Sequence, residues 1–304
     1  MDEEEERDER DPKRVEARVK ADPVAAAAQA EVSRQKQLKL KNAVGLDLLQ
    51  QFGAQYKLSQ FAPVQLLYDG VFSNVKLVQH TKTAKTFALK VFKKQALMEN
   101  NLERAPLSEK EIMVIFDFPF IVGCYATFTD HDCLYFLEEL LPGGDFWSIL
   151  YGGSVELAKN PDSSHCTGLV IKDALFYIVN VITILLHVHE NDVAYRDLKP
   201  ENFVMDGTGY LKLVDFGNAK FLPAPCMTNT MCGSPEYVAP EMVLARDHNH
   251  SVDYWSLGIL VYEILTRSTP FEHDNAVNYT KYCCVVLYCM LIWLFLIDCL
   301  FYSL

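Results

Sequence analysis

Asp197, Lys199 and Asn202 stand together in the run Tyr195-Arg196-Asp197-Leu198-Lys199-Pro200-Glu201-Asn202, and Asp215-Phe216-Gly217 follows it. Moving a phosphoryl group requires an acceptor for the proton of the attacked hydroxyl, oxygen ligands for divalent metal, and a cation against the charge in flight. Asp197, Asn202, Asp215 and Lys199 supply those side-chain types in a workable order. A Tyr-Arg-Asp triplet alone carries no information. The eight-residue run, the later Asp-Phe-Gly and Ala239-Pro240-Glu241 together make a chance cluster on a non-catalytic loop a poor account.

The elements that must position these groups are legible upstream. Leu66-Leu67, Val75–Val78 and Phe87–Val91 are β-branched and aromatic runs that predict strands joined by turns. Gln95–Phe116 has helical character, with Pro106 where a first turn tolerates it. Leu134–Leu140 predicts a strand ended by Pro142-Gly143-Gly144, and Leu211–Val214 another leading into Asp215. Ile171–His189 is apolar and free of Pro and Gly, which predicts a largely buried helix. Tyr151–Gly168, rich in Gly, Ser, Asn and Pro, predicts a surface loop. Strands first and helices later is an α+β pattern with segregated lobes.

Composition narrows the function classes. The 304 residues suffice for one large two-lobed domain or two small ones, and half are apolar. A net charge of −12 argues against nucleic-acid binding and suits basic peptide partners. The acidic start, Met1 to Glu6, is the opposite of a signal peptide, and the nine cysteines show no paired metal spacing, so a cytoplasmic chain with reduced thiols is expected.

From about Phe61 to Phe271 the chain resembles a serine/threonine protein kinase of the AGC group, which includes the cyclic-nucleotide-dependent kinases. The group character lies in Tyr195 before Arg-Asp, in Cys232–Glu241 (Cys-Gly-Ser-Pro-Glu-Tyr-Val-Ala-Pro-Glu) and in Asp253–Gly258 (Asp-Tyr-Trp-Ser-Leu-Gly). The resemblance implies a two-lobed kinase-like fold, with a small β-rich N-lobe at 61–141 and a larger, mostly helical but incomplete C-lobe at 142–275. It implies ATP and magnesium as cofactors. It makes Asp197 the catalytic base and Lys199 the cation on the transferring group, with Asn202 and Asp215 as metal ligands. Lys90, in Ala88-Leu89-Lys90, takes the place of the phosphate-gripping strand lysine, and Glu109, 19 residues on (109 − 90), that of its ion-pair partner.

The phosphate-covering loop departs from the family pattern. Its three glycine positions are Tyr68, Gly70 and Ser73. Ser73 is a mild change, whereas the Tyr68 ring must be accommodated near the ribose, which points to weakened ATP binding. Val75 and Ala88 keep the apolar types that would sandwich adenine, and Glu139 and Asp145 fall in the nucleotide site. Glu138 takes the position behind the adenine where relatives carry an apolar side chain. Either the pocket is altered or the register slips by one, and Pro142-Gly143-Gly144-Asp145 argues against a slip.

Thr230 stands at the activation-loop phosphosite, where added phosphate would pair with Arg196 and Lys220; Thr228 is the alternative acceptor, and an upstream kinase is implied. Ser234 matches the loop hydroxyl that contacts Asp197 and Lys199, and Asp145, Glu201 and Glu263 match acidic sites that hold arginines of substrate peptides.

Both ends leave this pattern. Residues 1–45, dense in charge with an alanine run, predict a disordered tail, and 46–60 a linker. Beyond Phe271 no amphipathic helices are found, and Tyr282–Ile297 is continuously apolar or aromatic. The segment 276–304 is an artefactual end, a membrane anchor through 282–304, or a buried substitute helix. No arginine follows Arg267, so Glu241 lacks its usual family partner. A stranded buried charge costs about 3–5 kcal/mol, which predicts a marginal C-lobe. The reading is an ATP-dependent serine/threonine kinase for basic peptides; the alternative is a catalytically impaired kinase-like binding or membrane-associated module.

Overall fold

The computed structural model describes residues 56–70, 72–152 and 168–271. The expectations for the charged tail, most of the loop after Tyr151 and the apolar C-terminal segment lie outside the described residues.

The first half is built on an antiparallel sheet of β1 (Phe61–Asp69), β2 (Ser73–His80), β3 (Thr86–Lys93), β4 (Cys124–Thr129) and β5 (Cys133–Glu138), ordered β1-β2-β3-β5-β4. β1 is an edge strand, which is why Pro63 is tolerated in it: the missing N–H breaks no interior ladder. Alternation along β3 divides its side chains. Phe87, Leu89 and Val91 pack with Val78, Ala126 and Leu137 in a core on one face of the sheet. Ala88 and Lys90 take the other face, where β5 sets Glu138 opposite Ala88 and Phe136 opposite Lys90.

The helical stretch expected over Gln95–Phe116 is two helices, α1 (Lys94–Glu99) and α2 (Ala105–Met113). The break follows from Asn100, whose side-chain amide donates to the Ala96 carbonyl at 2.8 Å, and from Asn101 in the left-handed region at φ 55°. Pro106 lies in the first turn of α2, where its missing N–H costs nothing.

The second half holds α3 (Phe146–Tyr151), α4 (Ile171–Glu190), short pairs β6 (Val193–Ala194) with β9 (Lys220–Phe221) and β7 (Phe203–Met205) with β8 (Leu211–Leu213), then α5 (Pro240–Val243) and α6 (Val252–Thr266). Tyr151, expected to open a surface loop, instead closes α3 and is buried. Ile178, Ile184 and Leu185 of α4 share one continuous core with Phe92, Ile112 and Phe136 of the first half and with Phe216. Among the described residues α4 alone is long and apolar enough to cross a membrane, and its buried face is this core. Glu241 has no ion pair among the described residues and is only half-buried, so the cost of a stranded charge falls on it in part.

Glu263 of α6, 2 % exposed, draws three elements together. The Tyr151 hydroxyl donates to its Oε1 at 2.7 Å and the Tyr237 hydroxyl to Oε2 at 2.5 Å. Burial raises its pKa to about 7, against the two hydroxyls that pull it down. The folded state then holds a proton that the unfolded chain releases near 4.5, so this stability is complete below that pH and is lost as pH rises to about 7. At about 1.4 kcal/mol per unit the effect reaches at most roughly 3 kcal/mol. Thermal melting of Glu263→Gln at pH 5 and pH 8 should show a smaller fall in midpoint than the parent; an equal fall in both would remove Glu263 as the cause.

Candidate active site

Lys90, 6 % exposed, is the centre of the site. Its Nζ lies 2.6 Å from Glu109 Oε1 on α2 and 2.9 Å from Asp215 Oδ1, which follows β8. Burial alone would lower its pKa, but Glu109, Asp215 and the nearby Glu138 outweigh burial and raise it, so the lysine is a fixed cation. Burial raises the pKa of Glu109, with Lys90 opposing, while Lys90 holds the half-exposed Asp215 below the usual carboxylate range. Residues far apart in sequence thus meet in one charge cluster joining the sheet, α2 and the second half.

The loop carrying Asp197 is held from beneath by Asp253 of α6, which is fully buried. Asp253 accepts the backbone N–H of Tyr195 at 2.9 Å and of Arg196 at 2.7 Å, and His189 Nε2 lies 2.8 Å from Oδ2. With these bonds fixed, Arg196 adopts φ 67° and Asp215 φ 57°, left-handed conformations that non-glycine residues hold only when the surroundings over-determine them. Tyr195, also fully buried, donates its hydroxyl to the Val214 carbonyl at 2.7 Å and so ties this loop to the strand leading into Asp215.

Around Asp197 the donors are dense. Asn202 Nδ2 and Asn218 Nδ2 reach Oδ2 at 3.1 and 3.2 Å, and Lys199 Nζ lies 3.3 Å from the same oxygen. The N–H and hydroxyl of Ser234 both reach Oδ1 at 3.0 Å, and Lys199 donates to the Ser234 hydroxyl at 2.7 Å. A carboxylate offers about four lone-pair sites. A hydroxyl handing its proton to Asp197 must therefore displace one of these donors, and the Ser234 hydroxyl is the one of like chemistry.

No three His, Cys, Asp or Glu side chains cluster for a metal among the described residues. The available donors are oxygens. Asn202 spends its amide N–H groups on Asp197, and Asp215 spends Oδ1 on Lys90 and the Gly217 N–H. Asn202 Oδ1 and Asp215 Oδ2 make no hydrogen bond among the described residues. Two hard donors with open lone pairs fit magnesium, which keeps several waters and takes the rest of its shell from phosphates.

The turn after β1 closes through Gly70 N–H donating to the Ser73 carbonyl at 2.9 Å. The Tyr68 ring, 62 % exposed, folds over Gly70: a methyl there would lie 2.7 Å from it and 2.9 Å from the Ser73 carbonyl. Gly70 is thus required while Tyr68 occupies the turn's outer face. Val75 pairs with Lys90 across β2 and β3, beside Ala88. Glu139 turns its carboxylate to Lys212 Nζ, 2.8 Å from both oxygens, so a nucleotide would meet only its main chain. The register of β5 does not slip: Glu138 itself is buried on the site's face, opposite Ala88.

In the segment after Asp215, Thr230 is exposed, whereas Thr228 is buried with its hydroxyl 2.8 Å from Lys220 Nζ and 3.2 Å from that of Thr230. Arg196 donates Nε to the Asn218 carbonyl at 2.9 Å, and its buried Nη1 has no partner among the described residues. Of the three acids considered for basic peptides, Glu201 is exposed, Asp145 caps α3 by accepting the N–H and hydroxyl of Ser148, and Glu263 is enclosed by two tyrosines. Asn218 and Lys212 escaped the sequence reading. Asn218 directly follows Asp-Phe-Gly, which is a positional signal, but nothing in the sequence marks Lys212.

Residues 61–292 match the protein kinase domain family. The chain is 40 % identical over 241 residues to cGMP-dependent protein kinase 2 of Homo sapiens, covering 77 % of this chain and 30 % of that protein. It is 40 % identical over 227 residues to cGMP-dependent protein kinase, isozyme 1, of Drosophila melanogaster (74 % and 28 %). Against cAMP-dependent protein kinase type 3 of Saccharomyces cerevisiae it is 34 % identical over 224 residues (74 % and 52 %). The chain thus spans about three-tenths of the length of these cGMP-dependent relatives and about half of the yeast one. With residues 61–292 matching that family, the chain belongs to the protein kinases, as a relative of the cyclic-nucleotide-dependent members of the AGC group.

Proposed function

We propose that the chain transfers the γ-phosphate of ATP to serine or threonine hydroxyls of proteins, with magnesium as cofactor. The observation that carries this reading is the buried Lys90 held between Glu109 and Asp215, with Asp197 and Asn202 bonded to each other. Lys90 is positioned to meet phosphate oxygens as a fixed cation, while Asn202 and Asp215 would hold magnesium, which neutralises phosphate charge when bound. Asp197 receives the hydroxyl proton, and Lys199 balances charge beside it. Exposed Glu201 and the overall acidity favour basic peptides, with Asp145 and Glu263 contributing if substrate draws them from their present partners. Tyr68 over Gly70 and the buried Glu138 favour a second reading, a binding module with impaired catalysis. A radiolabel assay on an arginine-rich peptide separates the two: Asp197→Asn should lower the rate about 10²–10⁴-fold in a variant that circular dichroism shows to be folded at the assay temperature. Equal signal from parent and variant would end the enzymatic reading.

Activation by phosphate at Thr230 rests on its exposure, on Lys220, whose Nζ binds the Thr228 hydroxyl 3.2 Å from that of Thr230, and on Arg196, whose buried Nη1 has no partner among the described residues. Phosphate oxygens would satisfy that guanidinium through charge-assisted bonds. Since Arg196 also holds Asn218, which donates to Asp197, the phosphate would stiffen the groups around the base. Thr230→Ala should lose about tenfold or more in peptide phosphorylation, and phosphatase treatment should bring the parent to the same level. A Thr230→Ala protein as active as the phosphorylated parent would exclude this control.

A further inference from the structure

The outer side of α4 presents apolar side chains to water. Ile171, Leu175, Val179 and Leu186 are 40 to 61 % exposed, and half-buried Ile182 lies between them. Their spacing sets them on one stripe of the helix, turned away from the flank of Ala174, Ile178, Val181 and Leu185 that packs in the core. The stripe runs about 22 Å along the helix. Thr183, beside it, spends its hydroxyl on the Val179 carbonyl at 2.7 Å. One cation and one anion stand along the same edge, Lys172 at the start and Glu190 at the end, while Asp173 lies on the far side. A continuous exposed apolar stripe with charged ends marks a docking surface.

The sequence supplies a match among the residues that follow Phe271. Tyr282–Ile297 carries no charge and as a helix would run about 24 Å. Lys281 precedes it, Asp298 follows it, and from 281 to 304 these are the only charged residues. Laid antiparallel on α4, the segment sets Lys281 against Glu190 and Asp298 against Lys172. Laid parallel, it sets like charges together at both ends, so charge selects the orientation.

The described chain also ends where that orientation must begin. α6 runs antiparallel to α4: the Leu169 N–H donates to the Ile264 carbonyl at 3.0 Å, and His189 lies 2.8 Å from Asp253. Phe271 stacks on Trp255, 5.8 Å between ring centroids, and the neighbouring Tyr254 hydroxyl lies 3.2 Å from His189. Phe271 is thus at the Glu190 end of α4. Residues 272–281 can span at most about 33–36 Å, more than the length of α4, about 30 Å. A segment tethered this way faces the stripe at an effective concentration on the order of millimolar, an advantage that a second copy of the chain lacks. We propose that residues 281–298 fold back on the outer face of α4 as an antiparallel helix, pairing Lys281 with Glu190 and Asp298 with Lys172. The apolar end of the chain then belongs to the second half of the molecule rather than to a membrane.

Hydrogen–deuterium exchange of the full chain, read by mass spectrometry, tests this. Peptides within 282–297 should exchange slowly in the parent, and Val179→Asp should speed them about tenfold or more while peptides across 195–217 keep the parent rate. Glu190→Lys and Lys281→Glu should each speed exchange about threefold, and the two together should restore the parent rate; this pair decides the matter if Val179→Asp does not fold. Fast exchange of 282–297 in the parent, or rates that Val179→Asp leaves unchanged, overturns the proposal. So does protection that grows with protein concentration, which marks a second copy, or protection that appears only with phosphatidylcholine vesicles, which marks a membrane.

Discussion

The site depends on one buried ammonium. Lys90 has left water for a position with 6 % exposure, a move that is unfavourable unless carboxylates meet it. Glu109 and Asp215 do so, and each comes from a different part of the molecule. The pair therefore sets where α2 stands against the sheet and where the strand end before Asp215 stands against both. It also leaves the cluster with more acid than base, since two carboxylates face one ammonium. An excess of buried negative charge beside two unengaged oxygen donors suits a divalent cation with a phosphate chain, and suits few other ligands.

A second constraint works from below. Asp253 has no exposure to water and takes two backbone N–H groups and an imidazole, so it acts as a fixed peg for the loop at Tyr195 and Arg196. The left-handed backbone at Arg196 aims its side chain toward Asn218, and Asn218 in turn meets Asp197. Two side-chain bonds thus join the loop arginine to the base.

The chemistry was more legible than its support. Asp197, Lys199, Asn202 and Asp215 declare themselves because the reaction restricts both residue type and spacing within short runs. The strands at Val75–Val78 and Phe87–Val91 show in period-two alternation, and α4 shows because it is apolar on every side for almost six turns. The break between α1 and α2 was hidden, because Asn100 and Asn101 are ordinary polar residues until their backbone is known. Lys212 on Glu139 and the two tyrosines on Glu263 were equally invisible, since such pairs depend on tertiary approach and not on local pattern. Glu138 could be placed by register, but whether anything satisfied it could be learned only from its surroundings.

The central claim is that Lys90 and Glu109 act on a nucleotide as one unit. A double-mutant cycle on MgATP affinity, with Lys90→Met, Glu109→Gln and both together, measures that directly. If the glutamate works only by holding the lysine, the double variant should bind no more weakly than Lys90→Met, a coupling of about 1 kcal/mol or more. Losses that add within about 0.3 kcal/mol would show that the two residues act independently and would contradict the account.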